Sequence, residues 1–284
     1  MIWGRPQPIF TEHGHPVWAS YYRPDGPIKG AVLIVPGLGA LQRHYAPLAS
    51  WLAEQGYFAA TFDYAGTGMS CLADVRKLRI TISDWASGDC DAMVSALAEE
   101  VPGKPLYWLG HSLGGEILGL LPGPERIRKA VTIATGTGYW QDRAPGLRWR
   151  VWWLWYFMAP LVTGICGYFP GSRLGRVGDL PPGVMKQWRR WCLHPDSAVG
   201  VEGPAARESF AAVQVPITSF SFTDDERTSA RSTEALHGWF ENAPRTMKRL
   251  SPKDLGTQRV GHFGFFHARL KKALWETFLL PELT

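Results

Sequence analysis

Five uncharged, mostly apolar runs constrain this chain more than any other feature: residues 31–35, 57–63, 105–109, 130–134 and 215–222, the second closing on Asp63. A strand facing water on one side alternates apolar with polar residues. A run apolar at successive positions, such as Ala31-Val32-Leu33-Ile34-Val35, predicts a strand covered on both faces. Helical patterning fills the gaps. In 45–55, Tyr45, Leu48, Trp51 and Leu52 fall on one face, and helices are expected over 82–100, 113–121, 232–240 and 265–280. Buried strands alternating with helices predict an α/β fold, a mostly parallel sheet covered by helices on both faces. Residues 9–12 and 17–22 alternate instead, around a His13-Gly14-His15-Pro16 turn, and read as an antiparallel edge; 247–250 reads as a last short strand.

The rhythm breaks between about 136 and 212, in a stretch rich in Trp, Pro, Gly and Arg. The expected organisation is a core formed by 1–136 and 212–284, interrupted by a Trp-rich cap or lid over 137–211. Within the cap, 151–170 holds twenty residues without a charge. That length matches a membrane span of about 20 residues. Pro160, Gly164 and Gly167 interrupt it, however, and it lies between two halves of one sheet. A lid whose aromatic face lines an apolar pocket and touches a membrane interface is the preferred reading, with plain packing as the alternative.

With 284 residues, 45% apolar and 19% charged, the chain can fill one large core. The start, Met1-Ile2-Trp3-Gly4-Arg5-Pro6, lacks the pattern of a secretory signal. Cys71, Cys90, Cys166 and Cys192 are widely spaced without a Cys-x-x-Cys pair, so neither a disulfide framework nor a zinc site is expected, and a cytoplasmic setting is. His13 and His15 read as turn residues rather than metal ligands; no metal and no cofactor are expected. Lys186, Arg189 and Arg190 cluster beside Trp188 and Trp191. No nucleic-acid motif accompanies them, so a solvated helix face with inward tryptophans is preferred to nucleic-acid binding, with contact to an anionic substrate or membrane in between.

Chemistry concentrates in Gly110-His111-Ser112-Leu113-Gly114-Gly115, directly after the run at 105–109. A serine with glycines two positions to either side, between strand and helix, is the signature of a nucleophile elbow. Such a serine needs a base held by a carboxylate, in the chain order Ser, acid, His. The run at 215–222 is followed by Thr223-Asp224-Asp225-Glu226, which places carboxylates at a strand's carboxyl end. Val260-Gly261-His262-Phe263-Gly264 supplies the base; His267, at a position expected to be helical, and His111, beside the serine, fit less well. Two N–H donors are needed for an oxyanion, and Leu113, after the serine, and Leu38, in the Pro36-Gly37-Leu38-Gly39 loop, are the candidates.

On these residues, and on Asp63-Tyr64-Ala65-Gly66-Thr67-Gly68-Met69-Ser70, the chain resembles the α/β-hydrolase superfamily along nearly its whole length. Within it, the chain is similar to the serine aminopeptidase and monoacylglycerol-lipase-like group. The segments Arg190-Trp191-Cys192-Leu193-His194-Pro195-Asp196 and Gly261-His262-Phe263-Gly264-Phe265-Phe266 also resemble a bacterial subgroup of predicted α/β hydrolases. The resemblance implies Ser112 as nucleophile, His262 as base and an aspartate as its partner. Family strands carry the acid a few residues before the small residue that starts the next helix, and counting back from Ser229 favours Asp225, with Asp224 as the alternative. Pro36 departs from the His often found before the Gly of the oxyanion loop.

The expected activity is a serine hydrolase acting on a small-molecule carboxylic ester or thioester with an apolar acyl part. The alternatives are an acyltransferase, an aminopeptidase holding its substrate's amine through Glu202 or Glu208, a C–C bond hydrolase, and a lipid- or membrane-binding protein with a vestigial site.

Overall fold

The computed structural model describes residues 4–12, 14–142, 145–174 and 177–284, which leaves His13 of the turn outside the described residues. Its centre is an eight-stranded sheet: β1 (Arg5–Phe10), β2 (Pro16–Tyr22), β3 (Gly30–Val35), β4 (Tyr57–Asp63), β5 (Leu106–His111), β6 (Lys129–Ile133), β7 (Ile217–Phe222) and β8 (Arg245–Leu250), in the spatial order β1-β2-β4-β3-β5-β6-β7-β8. The pairs β1–β2 and β2–β4 are antiparallel, and every pair from β4 to β8 is parallel. The five apolar runs are β3 to β7, and each is buried along its length but for the first residue of β6.

Burial on both faces follows the two-residue period of a strand. Ala31, Leu33 and Val35 join one core with Phe58, Trp85, Met93, Leu97 and Trp108, under the helical stretch 82–100. Val32 and Ile34 join the other with Leu48, Trp51, Leu52, Leu109 and Trp275, under the helices Ala46–Glu54 and Lys271–Leu279. The stretch 82–100 runs unbroken through a widened π-type turn at Trp85–Cys90. Its N-terminus is closed by a capping box between Thr81 and Asp84.

Two expected helices differ in extent. After Ser112, one α turn (Leu113–Glu116) tightens at Ile117–Leu120; here Gly119 lies against the Phe210 ring, with no room for a Cβ. At the C-terminus, short turns at Gly264–Phe266 and Ala268–Leu270 precede the helix that begins at Lys271. Adjacent Phe265 and Phe266 are both buried, which a helix covering the sheet with one face does not readily allow. His267 accordingly has extended backbone between the two turns, not a helical position.

Between β6 and β7 the chain is helical: 145–166, Pro182–Leu193, Ser197–Val201 and Pro204–Ala212, with one bridge pairing Phe169 to Leu180. Gly178 N–H donates to the carbonyl of Gly39 at 2.8 Å, which docks this segment onto the loop after β3. Among the described residues no helix is long and apolar enough to cross a membrane.

The chain leaves β3 for β4 on one side and later returns to β5 on the other. The loops at the carboxyl ends of β3 and β5 therefore diverge, and a crevice opens where ligands bind in sheets of this kind.

Candidate active site

Ser112 stands at that crevice, directly after β5, with φ +52° and ψ −116°. A non-glycine residue at such angles is strained, and its surroundings must hold it there. The glycines around it explain how. A Cβ on Gly110 would lie 2.4 Å from the carbonyl oxygen of Gly114, and one on Gly114 would lie 2.2 Å from that of Val35. The turn thus closes against its own helix and against β3 with no room for side chains. Ser112 N–H is tied to Ile133 O at 2.9 Å.

His262 lies on the loop before the C-terminal turns. Its Nδ1 is 2.9 Å from Asp225 Oδ2 and 3.1 Å from Oδ1, and both side chains are buried. Asp225 Oδ1 also accepts the N–H groups of Arg227 and Thr228, which fixes the carboxylate. The neighbouring Asp224 turns elsewhere: its Oδ2 accepts the N–H groups of Val260 and Gly261, at 2.8 and 3.0 Å, immediately before His262. Of the two aspartates, Asp225 meets the imidazole and Asp224 holds the loop that carries it.

Ser112, His262 and Leu38 line one cavity of about 960 Å³. Ser112 and His262 share it without a direct hydrogen bond, as is common before substrate tightens such a site. Leu113 N–H, at the first position of its helix, has no intrahelical acceptor. In the loop after β3, Gly37 N–H donates to Tyr45 Oη and Ala40 N–H to Gly37 O, while Leu38 N–H between them has no protein acceptor. Leu38 lines the cavity and Leu113 directly follows Ser112.

His111 has a part that its sequence position did not reveal. Fully buried, it is held neutral, its pKa pushed well below the usual range by burial and then by His262. Tyr45 Oη accepts from Gly37 N–H and gives its own proton to His111 Nδ1 at 2.8 Å, so Nε2 carries the hydrogen and donates to the carbonyl of His262 at 3.1 Å. The relay ties the loop after β3, the elbow and the histidine loop together. Desolvation raises the Tyr45 hydroxyl's own pKa well above its ordinary value, so it stays protonated.

Beyond these groups the walls are rich in aromatic residues, Trp149, Trp153, Trp155, Phe169, Trp188 and Phe263 among them, with Arg150 and Arg227 also lining the cavity. Trp188 faces the cavity and Trp191 is buried, while Lys186 and Arg190 point to solvent. Neither Glu202 nor Glu208 lines the cavity; Glu202 Oε1 accepts from Gln187 Nε2 and Trp191 Nε1. The carboxylate that does line it is Glu226, 3.6 Å from the Arg259 guanidinium. Among the described residues no cluster of His, Cys, Asp and Glu is arranged to hold a metal ion.

Residues 26–164 match the family model described as serine aminopeptidase, S33 (Hydrolase_4). Over 111 residues, 38% of this chain, the sequence is 29% identical to monoglyceride lipase of Homo sapiens, and the match spans 35% of that protein's length. The mouse protein of the same name gives 28% over the same span. Among solved structures, a soluble variant of monoglyceride lipase from Saccharomyces cerevisiae superposes with a TM-score of 0.65 at 14% identity, covering 100% of this chain and 96% of the other. A carboxyl esterase from Bacillus coagulans gives 0.62 at 15% identity, covering 100% of both chains. The chain has the fold of the α/β hydrolases. Within residues 26–164 its sequence is similar to the serine aminopeptidase family and to monoglyceride lipases, of which the match spans about a third of the length.

Proposed function

We propose that this protein is a serine hydrolase that cleaves a carboxylic ester or thioester with an apolar acyl part through an acyl-enzyme. The observation that carries the reading is Ser112, strained at φ +52° on its strand-to-helix turn, in one cavity with a histidine whose Nδ1 is held 2.9 Å from Asp225. In this mechanism Ser112 Oγ attacks the carbonyl carbon and His262 takes its proton. The Leu38 and Leu113 N–H groups receive the oxyanion, and each is worth about 10²–10³ in rate. The tetrahedral adduct collapses as His262 gives the proton to the leaving alcohol or thiol. Water, activated by the same imidazole, then releases the acid. Asp225 orients His262 throughout and stabilises its charged form.

The aromatic walls of the cavity support an apolar acyl group. Residues 137–211 act as the cap over a core of 1–136 and 212–284. The outer face of helix 145–166 supports peripheral membrane contact: Trp152, Tyr156, Phe157, Leu161 and Ile165 are exposed there and do not line the cavity. All four cysteines carry free thiols, which suits a reducing, cytoplasmic setting.

The test is turnover of p-nitrophenyl esters from acetyl to dodecanoyl. Hydrolysis rising with chain length and abolished in Ser112→Ala supports the reading. A folded protein that cleaves none of them, with or without an added alcohol acceptor, overturns it.

A further inference from the structure

Beyond the large cavity lies a second one of about 560 Å³, whose walls include Leu38, Val177 and Phe263, three residues that also line the first. The larger cavity has mostly aromatic walls, with Arg150, Arg227 and Glu226 among them. The smaller groove carries Arg43, His44 and His267, all exposed, and Arg227 stands on the other side of Phe263 with its guanidinium 5.3 Å from the ring centroid. Among the described residues no carboxylate lies within ion-pair distance of Arg43 or Arg227. His44 spends Nδ1 on the carbonyl of Leu41 at 3.0 Å, which leaves Nε2 for a ligand. Ser172, which lines the groove, donates its N–H and Oγ–H to Asp179 Oδ1 at 3.1 and 2.6 Å, and Asp179 itself is not among the groove's lining residues.

The position of the groove gives it a part in the reaction proposed above, on which this inference rests. A leaving group must depart past His262 to receive its proton, and Phe263, the next residue, is a wall of both cavities. An acyl chain in the aromatic cavity therefore directs the leaving group towards the smaller groove. We infer that the natural substrate carries an anionic group, of the phosphate monoester kind, on its leaving alcohol, held in this groove by Arg43, His44 and His267. Arg227, at the border of the cavities, adds to the positive field met on entry.

The experiment compares hexanoylglycerol with hexanoylglycerol 3-phosphate, which differ by the phosphate group on the leaving alcohol. The anionic ester is expected to have a kcat/KM about tenfold higher or more, the worth of one charge-assisted hydrogen bond, expressed mainly in KM. In the Arg43→Gln/His267→Gln variant the ratio should fall towards one; both positions are exposed, and the variant's melting curve reports its fold. Equal turnover of the two esters by the unaltered protein overturns the inference. A second reading is independent of turnover: calorimetric binding of glycerol 3-phosphate to Ser112→Ala protein, weakened by the same double substitution. Binding without cleavage of either ester would sink the hydrolase reading and leave the groove standing; cleavage of the neutral ester with no binding does the reverse. Oleoyl esters in phosphatidylcholine vesicles separate the sources. A preference seen there and not with the hexanoyl pair assigns a lipid head group, and one seen with both assigns a phosphate ester taken from water.

Discussion

Asp225 and His262 form a buried carboxylate–imidazole pair, Oδ2 to Nδ1 at 2.9 Å, while the adjacent Asp224 is turned to the backbone of residues 260 and 261. Two neighbouring aspartates thus have separable tasks. Asp225→Asn should leave the fold intact and lower kcat by roughly 10³–10⁴, because an amide favours the wrong tautomer of the imidazole. Asp224→Asn should instead loosen the histidine loop, with a loss of about 1–3 kcal/mol in stability and a much smaller drop in kcat. Steady-state kinetics and urea unfolding of the two variants decide; equal effects would contradict this division.

Tyr45 reaches the site through His111 rather than by touching it. Tyr45→Phe leaves Gly37 N–H and His111 Nδ1 unsatisfied in a buried setting, which should cost about 1–3 kcal/mol. The loop carrying Leu38 then loses a tether, and kcat should fall by about 10- to 100-fold with less change in KM. A stability loss with unchanged kcat would make the relay purely structural.

Acid should destabilise the protein in a defined window. Buried His237 donates Nδ1–H to Thr233 O and accepts from Thr132 Oγ1, and burial pushes its pKa from 6.5 down to about 4. The unfolded chain binds this proton first, so stability is fully present above pH 6.5 and is lost as pH falls towards 4, by up to about 3 kcal/mol. Urea midpoints at pH 7 and pH 5 should converge in His237→Gln relative to the unaltered protein. Parallel losses in the two would assign the acid sensitivity elsewhere, as to His111, whose pKa is shifted in the same direction.

Exposed Trp152 and Phe157 meet edge to face on the outer face of helix 145–166, 5.3 Å between centroids. Trp152→Ser/Phe157→Ser should reduce co-sedimentation with phosphatidylcholine vesicles severalfold while sparing turnover of a water-soluble ester. Unchanged co-sedimentation would remove this face from the membrane account.

The sheet was legible in the sequence because strands covered on both faces need no periodicity to be recognised: Ala31 to Val35 and Leu106 to Leu109 declare themselves by the absence of charge. Ser112 and His262 were legible for a different reason, since a strained turn and a glycine-flanked loop leave local signatures. What stayed hidden was non-local. Nothing near Tyr45 in sequence points to a hydrogen bond with residue 111, sixty-six positions away. Nor does the pair Asp224-Asp225 reveal which carboxylate faces residue 262. The C-terminal helix starts late because burying both Phe265 and Phe266 outweighs helical preference, a tertiary demand that a single segment does not display.

The most direct test of the central claim is reaction with a fluorophosphonate probe, with the adduct located by mass spectrometry. Such a probe is captured appreciably only by a serine already activated by a base and an oxyanion site. The account predicts a single adduct on Ser112, lost in Ser112→Ala and strongly slowed in His262→Ala. A folded protein that takes up no probe, or takes it up at another serine, would contradict it.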